Sequence, residues 1–122
     1  MKTILVADDQ PIMRLVVRTM LGTYPDYQVR EAVNGAEALA LAREHRPDLV
    51  LLDVEMPEMT GPEVCMVLKG SLETRDIPVL MMSATEAADV QGYGLMAGSD
   101  GFFKKPFTPE ALRTRMKELL GE

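Results

Sequence analysis

The sequence is poor in cysteine, has no long apolar run and carries no basic surplus, and each shortage removes a class of explanation. Cys65 is the sole cysteine, so no disulfide can form within the chain, which suits a reducing compartment. The longest apolar runs, such as Leu49-Val50-Leu51-Leu52, fall far short of the ~20 residues a transmembrane helix needs. Met1-Lys2-Thr3 passes directly into strand-like sequence, with none of the layered organisation of a secretory signal. A net charge of −6 leaves no basic face for a phosphate backbone, which argues against direct nucleic-acid binding. No linker, low-complexity tract or long repeat interrupts the chain. At 122 residues it is expected to form one domain, 1–122, soluble and cytoplasmic, with no membrane association.

Short Val/Ile/Leu runs alternate regularly with helix-period segments. Thr3 to Ala7 reads as a buried strand, followed by a helix that starts near Pro11 and is striped by Ile12, Val16 and Met20. Gln28 to Ala32 reads as a second strand. Asn34-Gly35 is a turn signal, and Ala36, Leu39, Ala40 and Arg43 form a second helical face stopped by Pro47. Leu49 to Asp53 is apolar without alternation, the mark of a strand buried on both faces. Gly61-Pro62 opens a helix carrying Val64, Val67 and Leu68. Pro78 to Met82 is a fourth strand and Glu86 to Ala97 a fourth helix. Gly101 to Lys104 is a fifth strand, and Leu112, Met116, Leu119 and Leu120 stripe the last helix. Five βα units with buried strands and no hairpin turns predict an α/β fold, (βα)5, with a doubly wound five-stranded parallel sheet.

In open parallel sheets, ligands bind beyond the carboxyl ends of the strands. That rule selects Asp8 and Asp9 after the first strand, Asp53 and Glu55 at the third, Ser83 after the fourth and Lys105 after the fifth. Three aspartates gathered there would repel one another strongly. A hard divalent cation that keeps some of its waters, Mg²⁺ above all, would relieve the repulsion. Phosphoryl transfer asks mainly for positioning and charge neutralisation. Asp53 could then attack phosphorus and form an acyl phosphate, with Lys105 and Ser83 each holding an oxygen.

The stretches Ala7-Asp8-Asp9, Leu52-Asp53-Val54-Glu55-Met56-Pro57-Glu58-Met59-Thr60-Gly61, Met82-Ser83-Ala84 and Lys104-Lys105-Pro106-Phe107 resemble the CheY-like receiver family of response regulators, over essentially the full length. The resemblance implies the strand order 2-1-3-4-5. It implies that Asp53 accepts phosphate from a sensor histidine kinase or a histidine phosphotransfer protein. It also implies that Asp9 ligates Mg²⁺ directly, Asp8 acts largely through water, and the Glu55 backbone carbonyl completes the set. Ser83 takes the place of the switching hydroxyl and Phe102 that of the switching aromatic. Tyr is frequent there, and Phe102 offers the ring without the phenol hydroxyl. A downstream effector, an output domain or a second receiver in a phosphorylation-dependent dimer is the implied target. The lysine must turn back into the crevice, so Lys105-Pro106 is expected to be cis. Ending at Leu120-Gly121-Glu122, the chain reads as a stand-alone regulator or as a receiver cut from a longer protein.

Plainer roles compete at several positions. Asp8 or Asp9 could cap the first helix, Ser83 stands in capping-box spacing with Glu86, and Phe102 reads equally as core. Lys104 is expected at the surface, His45 in an exposed loop, and Cys65 inert in mid-helix. The ten methionines read as gap-filling. Gly92 and Gly94 should make the fourth helix the least stable, and hence the switching element, together with the fifth strand and last helix. A haloacid-dehalogenase-like phosphatase would need Asp two residues beyond the nucleophile, where Glu55 stands. A pseudo-receiver acting only as a binding module would be expected to lack the acidic pair or the lysine. A flavin-binding protein would want a Gly- or Ser/Thr-rich first loop in place of Asp8-Asp9-Gln10-Pro11. The domain is expected to catalyse its own phosphorylation and dephosphorylation without being a turnover enzyme.

Overall fold

The computed structural model describes residues 1–84 and 98–122. In chain order the elements are β1 (Lys2–Ala7), α1 (Pro11–Gly22), β2 (Tyr27–Ala32), α2 (Gly35–His45), β3 (Leu49–Asp53), α3 (Gly61–Gly70), β4 (Val79–Ser83), β5 (Gly101–Lys104) and α4 (Pro109–Leu120). The strands form one parallel sheet in the order β2-β1-β3-β4-β5, which is the expected order. The helix expected from Glu86 to Ala97, with Gly92 and Gly94, lies outside the described residues. Among the described residues, no helix is long and apolar enough to cross a membrane.

Alternation along the strands divides the core into two layers. Leu5, Ala7, Val50, Leu52, Val79 and Met81 face one way, against Ala38, Leu39 and Ala42 of α2 and Val64, Cys65 and Leu68 of α3. Ile4, Val6, Leu49, Leu51, Leu80 and Met82 face the other, against Val17 and Leu21 of α1 and Leu112 and Met116 of α4. Every residue of β3 and β4 is buried, which explains their unbroken apolar character.

Two helical faces differ from those expected. On α1, Ile12 is 75% exposed, whereas Val17 and Leu21 are buried with Met13 and Met20 beside them. The helix is apolar at consecutive positions, so two neighbouring rows satisfy the helical period, and the packing against the sheet selects the second. On α2 the buried row is Gly35, Ala38, Leu39 and Ala42, while Ala36, Ala40 and Arg43 are exposed. Asn34 proves to be the cap of this helix, its side chain accepting from Glu37 N–H at 2.8 Å. His45 is exposed but closes α2 and is not in a loop. β4 is shifted one residue beyond its expected span and takes in Ser83, which pairs with Lys104.

The start of α3 is fixed most tightly. Thr60 and Glu63 form a reciprocal capping box, and Pro62 fills the first turn, satisfying donors that would otherwise be orphaned. Gly61 N–H donates to the Val54 carbonyl at 3.0 Å, and a Cβ on Gly61 would collide with the Asp53 backbone carbonyl. By contrast, a Cβ on Gly70, at the other end of the same helix, would meet nothing within 4 Å. Gly61→Ala should therefore lower the unfolding free energy by ~2–4 kcal/mol, and Gly70→Ala should leave it unchanged or raise it by up to ~1 kcal/mol. Urea unfolding of the two variants beside the parent checks both signs.

Candidate functional site

The parallel register builds the site. Ala7 pairs with Leu52, Asp53 with Met82, and Ser83 with Lys104. Asp8 and Lys105, the residues following β1 and β5, and Ser83, the last residue of β4, therefore lie along the same carboxyl-terminal rim as Asp53. Carboxylate oxygens of Asp8, Asp9 and Asp53 all lie within 4.8 Å of one another. Asp8 is wholly buried and Asp53 is 3% exposed, while Asp9 faces solvent. Lys105 Nζ donates to Asp8 Oδ2 at 3.0 Å and to Asp53 Oδ1 at 3.2 Å. Lys104 is exposed, as expected of the lysine that does not enter the site.

Backbone and side chains brace the acids from below. Gln10 N–H donates to Asp8 Oδ1 at 2.9 Å, a short turn that leads into α1 in place of a side-chain cap at Gln10 itself. Glu55 N–H donates to Asp53 Oδ1 at 3.3 Å. Ser83 is buried and its hydroxyl donates to Glu55 Oε1, while its carbonyl accepts from Lys105 N–H at 2.7 Å. The Lys105-Pro106 peptide is cis, as expected. Phe102 lies apart from the acids: it pairs with Met81 and its half-buried ring packs on the core layer beneath α2 and α3.

Arg14 belongs to the site and was not singled out from the sequence. Its Nη1 donates to the Asp8 carbonyl at 2.8 Å, and its Nε donates to Glu31 Oε1 at 3.1 Å, with Arg18 on the second Glu31 oxygen at 2.9 Å. A side chain only 14% exposed must find such acceptors. The signal lay in the pairing of an α1 arginine with an acid on the neighbouring strand, which one-dimensional periodicity cannot supply.

The electrostatics follow from burial. Burial, and then the charge of Asp8, push the Asp53 pKa from 3.8 up to about 6, against the opposing pull of Lys105 and the Glu55 N–H. Burial also works against the charge on Lys105, yet its bonds to Asp8 and the field of Asp53 outweigh this and hold its pKa above the ordinary lysine value. Three carboxylates converge and one ammonium bridges two of them, Asp8 and Asp53, and the donor set of the three is entirely oxygen. That set suits a hard divalent cation. Cys65, by contrast, is buried in α3 and pushed up to about 11, chiefly by burial, so its thiol stays protonated and unreactive.

Comparison with known proteins agrees with this geometry. Residues 4–117 match the family model described as the response regulator receiver domain. The chain is 41% identical over 117 residues to the response regulator MprA of Mycobacterium sp. strain KMS, covering 96% of this chain and 50% of that protein. It is 36% identical over 118 residues to histidine kinase P4 of Formosa agariphila, covering 97% of this chain and 8% of the kinase. The chain thus spans half or less of these curated relatives. The chemotaxis protein CheY4 of Vibrio cholerae superposes with a TM-score of 0.89 at 32% identity, covering 98% of both chains. None of these resemblances supports the phosphatase or the pseudo-receiver alternative. Fold, strand order and the sequence between Ile4 and Lys117 agree: the chain belongs to the response regulator receiver domain family of two-component signal transduction.

Proposed function

We propose that Asp53 is the phosphoacceptor, taking a phosphoryl group from a phosphohistidine on a sensor kinase or a histidine phosphotransfer protein. The observation that carries this reading is the convergence of Asp8, Asp9, Asp53 and Lys105 along one strand rim. An Asp53 oxygen forms the new bond to phosphorus as the phosphorus–nitrogen bond to the donor imidazole breaks, and the electron pair stays with the ring. Lys105, already bridging Asp8 and Asp53, needs only a small movement to follow the charge onto a phosphoryl oxygen. Ser83 donates to a second oxygen. Asp8, Asp9, Asp53 and the Glu55 carbonyl would hold Mg²⁺, which when bound neutralises charge on the acids and the phosphoryl group.

The product is carried on the chain itself, so the domain is a switch and not a turnover enzyme, although it catalyses its own phosphorylation and hydrolysis. It acts across residues 1–122 as one receiver in the cytoplasm. Ser83, drawn towards the phosphoryl group, would leave space for Phe102 to repack. The face built from β5 and α4 would thereby be altered for an effector, an output domain or a second receiver.

Intact-mass analysis after incubation with acetyl phosphate should show one added phosphate that requires Mg²⁺ or Mn²⁺. Asp53→Asn should abolish it, and Lys105→Ala should slow it by at least ~10-fold. Labelling that persists in Asp53→Asn would remove Asp53 from the proposed role, and labelling that persists in EDTA would remove the metal from it.

A second expectation concerns stability without metal. A carboxyl whose pKa is raised from 3.8 to about 6 on folding binds its proton more tightly in the native state. Its favourable contribution is complete below pH ~3.8 and is lost as pH rises through ~6. Ionised Asp53 should thus cost up to ~3 kcal/mol at neutral pH. Asp53→Asn should be the more stable protein by ~1–3 kcal/mol at pH 7.5 in EDTA. That advantage should shrink towards zero near pH 4 and be reduced by saturating Mg²⁺. Chemical unfolding of both chains at the two pH values tests the sign.

A further inference from the structure

A serine hydroxyl has one proton to donate. In this structure the proton of Ser83 goes to the Glu55 carboxylate. If Asp53 is the phosphoacceptor, the reading on which this inference rests, the same proton is claimed by a phosphoryl oxygen. The two bonds exclude each other, so the phosphorylated state can form its Ser83 contact only after the Glu55 contact is broken.

Glu55 is well placed to compete. Its backbone N–H holds Asp53 Oδ1 at 3.3 Å, so one residue touches the nucleophile through its main chain and Ser83 through its side chain. The span runs from the end of β3 to the end of β4, adjacent strands in the sheet. A bond to an ionised acceptor is roughly twice as strong as one between neutral groups, so it is not surrendered freely. Glu55 is also exposed, and on release its carboxylate can turn into water instead of staying beside a newly arrived anion.

We propose that Glu55 is a positioning residue that latches Ser83 in the unphosphorylated state and so weakens the affinity of the site for a phosphoryl group. The latch acts through the Ser83 hydroxyl. It is therefore separable from the general repulsion that a nearby carboxylate exerts on any anion, since that repulsion is felt whether or not residue 83 carries a hydroxyl.

The test is a double-mutant cycle on the affinity for beryllofluoride, a phosphoryl mimic, measured by fluorine NMR in Mg²⁺ buffer with Glu55→Ala, Ser83→Ala and the double variant. Both substitutions only remove atoms, so neither demands repacking. Glu55→Ala should tighten binding when Ser83 is present. The gain should be at least ~5-fold larger than the gain from the same substitution in the Ser83→Ala chain. Phosphate occupancy at graded acetyl phosphate should follow the same order. Equal gains in both backgrounds would show a charge effect alone and overturn the latch. A parent chain that binds no beryllofluoride and takes up no phosphate would instead overturn the proposed function.

Discussion

The site depends on one ammonium held between two buried carboxylates. Lys105 meets Asp8 and Asp53 from positions 97 and 52 residues away in sequence, and nothing local brings them together. Parallel pairing does: each strand ends at the same rim because β1, β3, β4 and β5 are in register. Slipping any one of them by a residue would turn its side chains to the other layer. The two-layered core forbids that slip, since Leu5 and Ile4, or Leu52 and Leu51, belong to different helical partners. The chemistry is thus fixed by hydrophobic packing some distance away.

That arrangement sets stability against readiness. Burial raises Asp53 to about 6, a strain that folding imposes and Lys105 only partly offsets. One ammonium cannot neutralise three acids, and its own charge is disfavoured by burial before the acids restore it. The residual negative potential suits a divalent cation and sets the Asp53 carboxyl near neutrality. Arg14 contributes differently. Its bond at 2.8 Å is to the Asp8 backbone carbonyl, so it steadies the loop without adding a direct ion pair to the Asp8 carboxylate.

Much of this was legible in the sequence, for identifiable reasons. Strand periodicity and the acids at strand ends are local properties, and they located β1, β3, β5 and the rim residues Asp8, Asp9, Asp53, Ser83 and Lys105. Helical faces were harder. In α1 the apolar residues Ile12, Met13, Leu15, Val16 and Val17 admit two adjacent stripes, and only the sheet decides that Val17 and Leu21 go inside. In α2 the alanines at 36, 38, 40 and 42 are too alike for composition to choose a face. Contacts between distant elements, such as Arg14 with Glu31 and Asp8 or Ser83 with Glu55, are invisible to any one-dimensional period. They appear only once the strands are assembled in the order β2-β1-β3-β4-β5.

The loop between β3 and α3 shows how a latch can be confined to a side chain. Val54 N–H donates to the Met82 carbonyl at 2.8 Å, and the Val54 carbonyl accepts from Gly61 at 3.0 Å. Met59 N–H donates to Pro57 at 2.7 Å, and Glu58 occupies a left-handed conformation with φ 68°, unfavourable for a residue with a Cβ and held by its surroundings. Thr60 and Glu63 then lock the entry to α3. Glu55 therefore sits on backbone that is tied to β4 behind it and to α3 ahead of it. Its main-chain bond to Asp53 can persist while its carboxylate releases Ser83, because a side chain can change rotamer without moving the backbone that carries it. On the proposed mechanism, a change at Asp53 is passed to β4 through the Ser83 hydroxyl, without loosening the loop that carries Asp53.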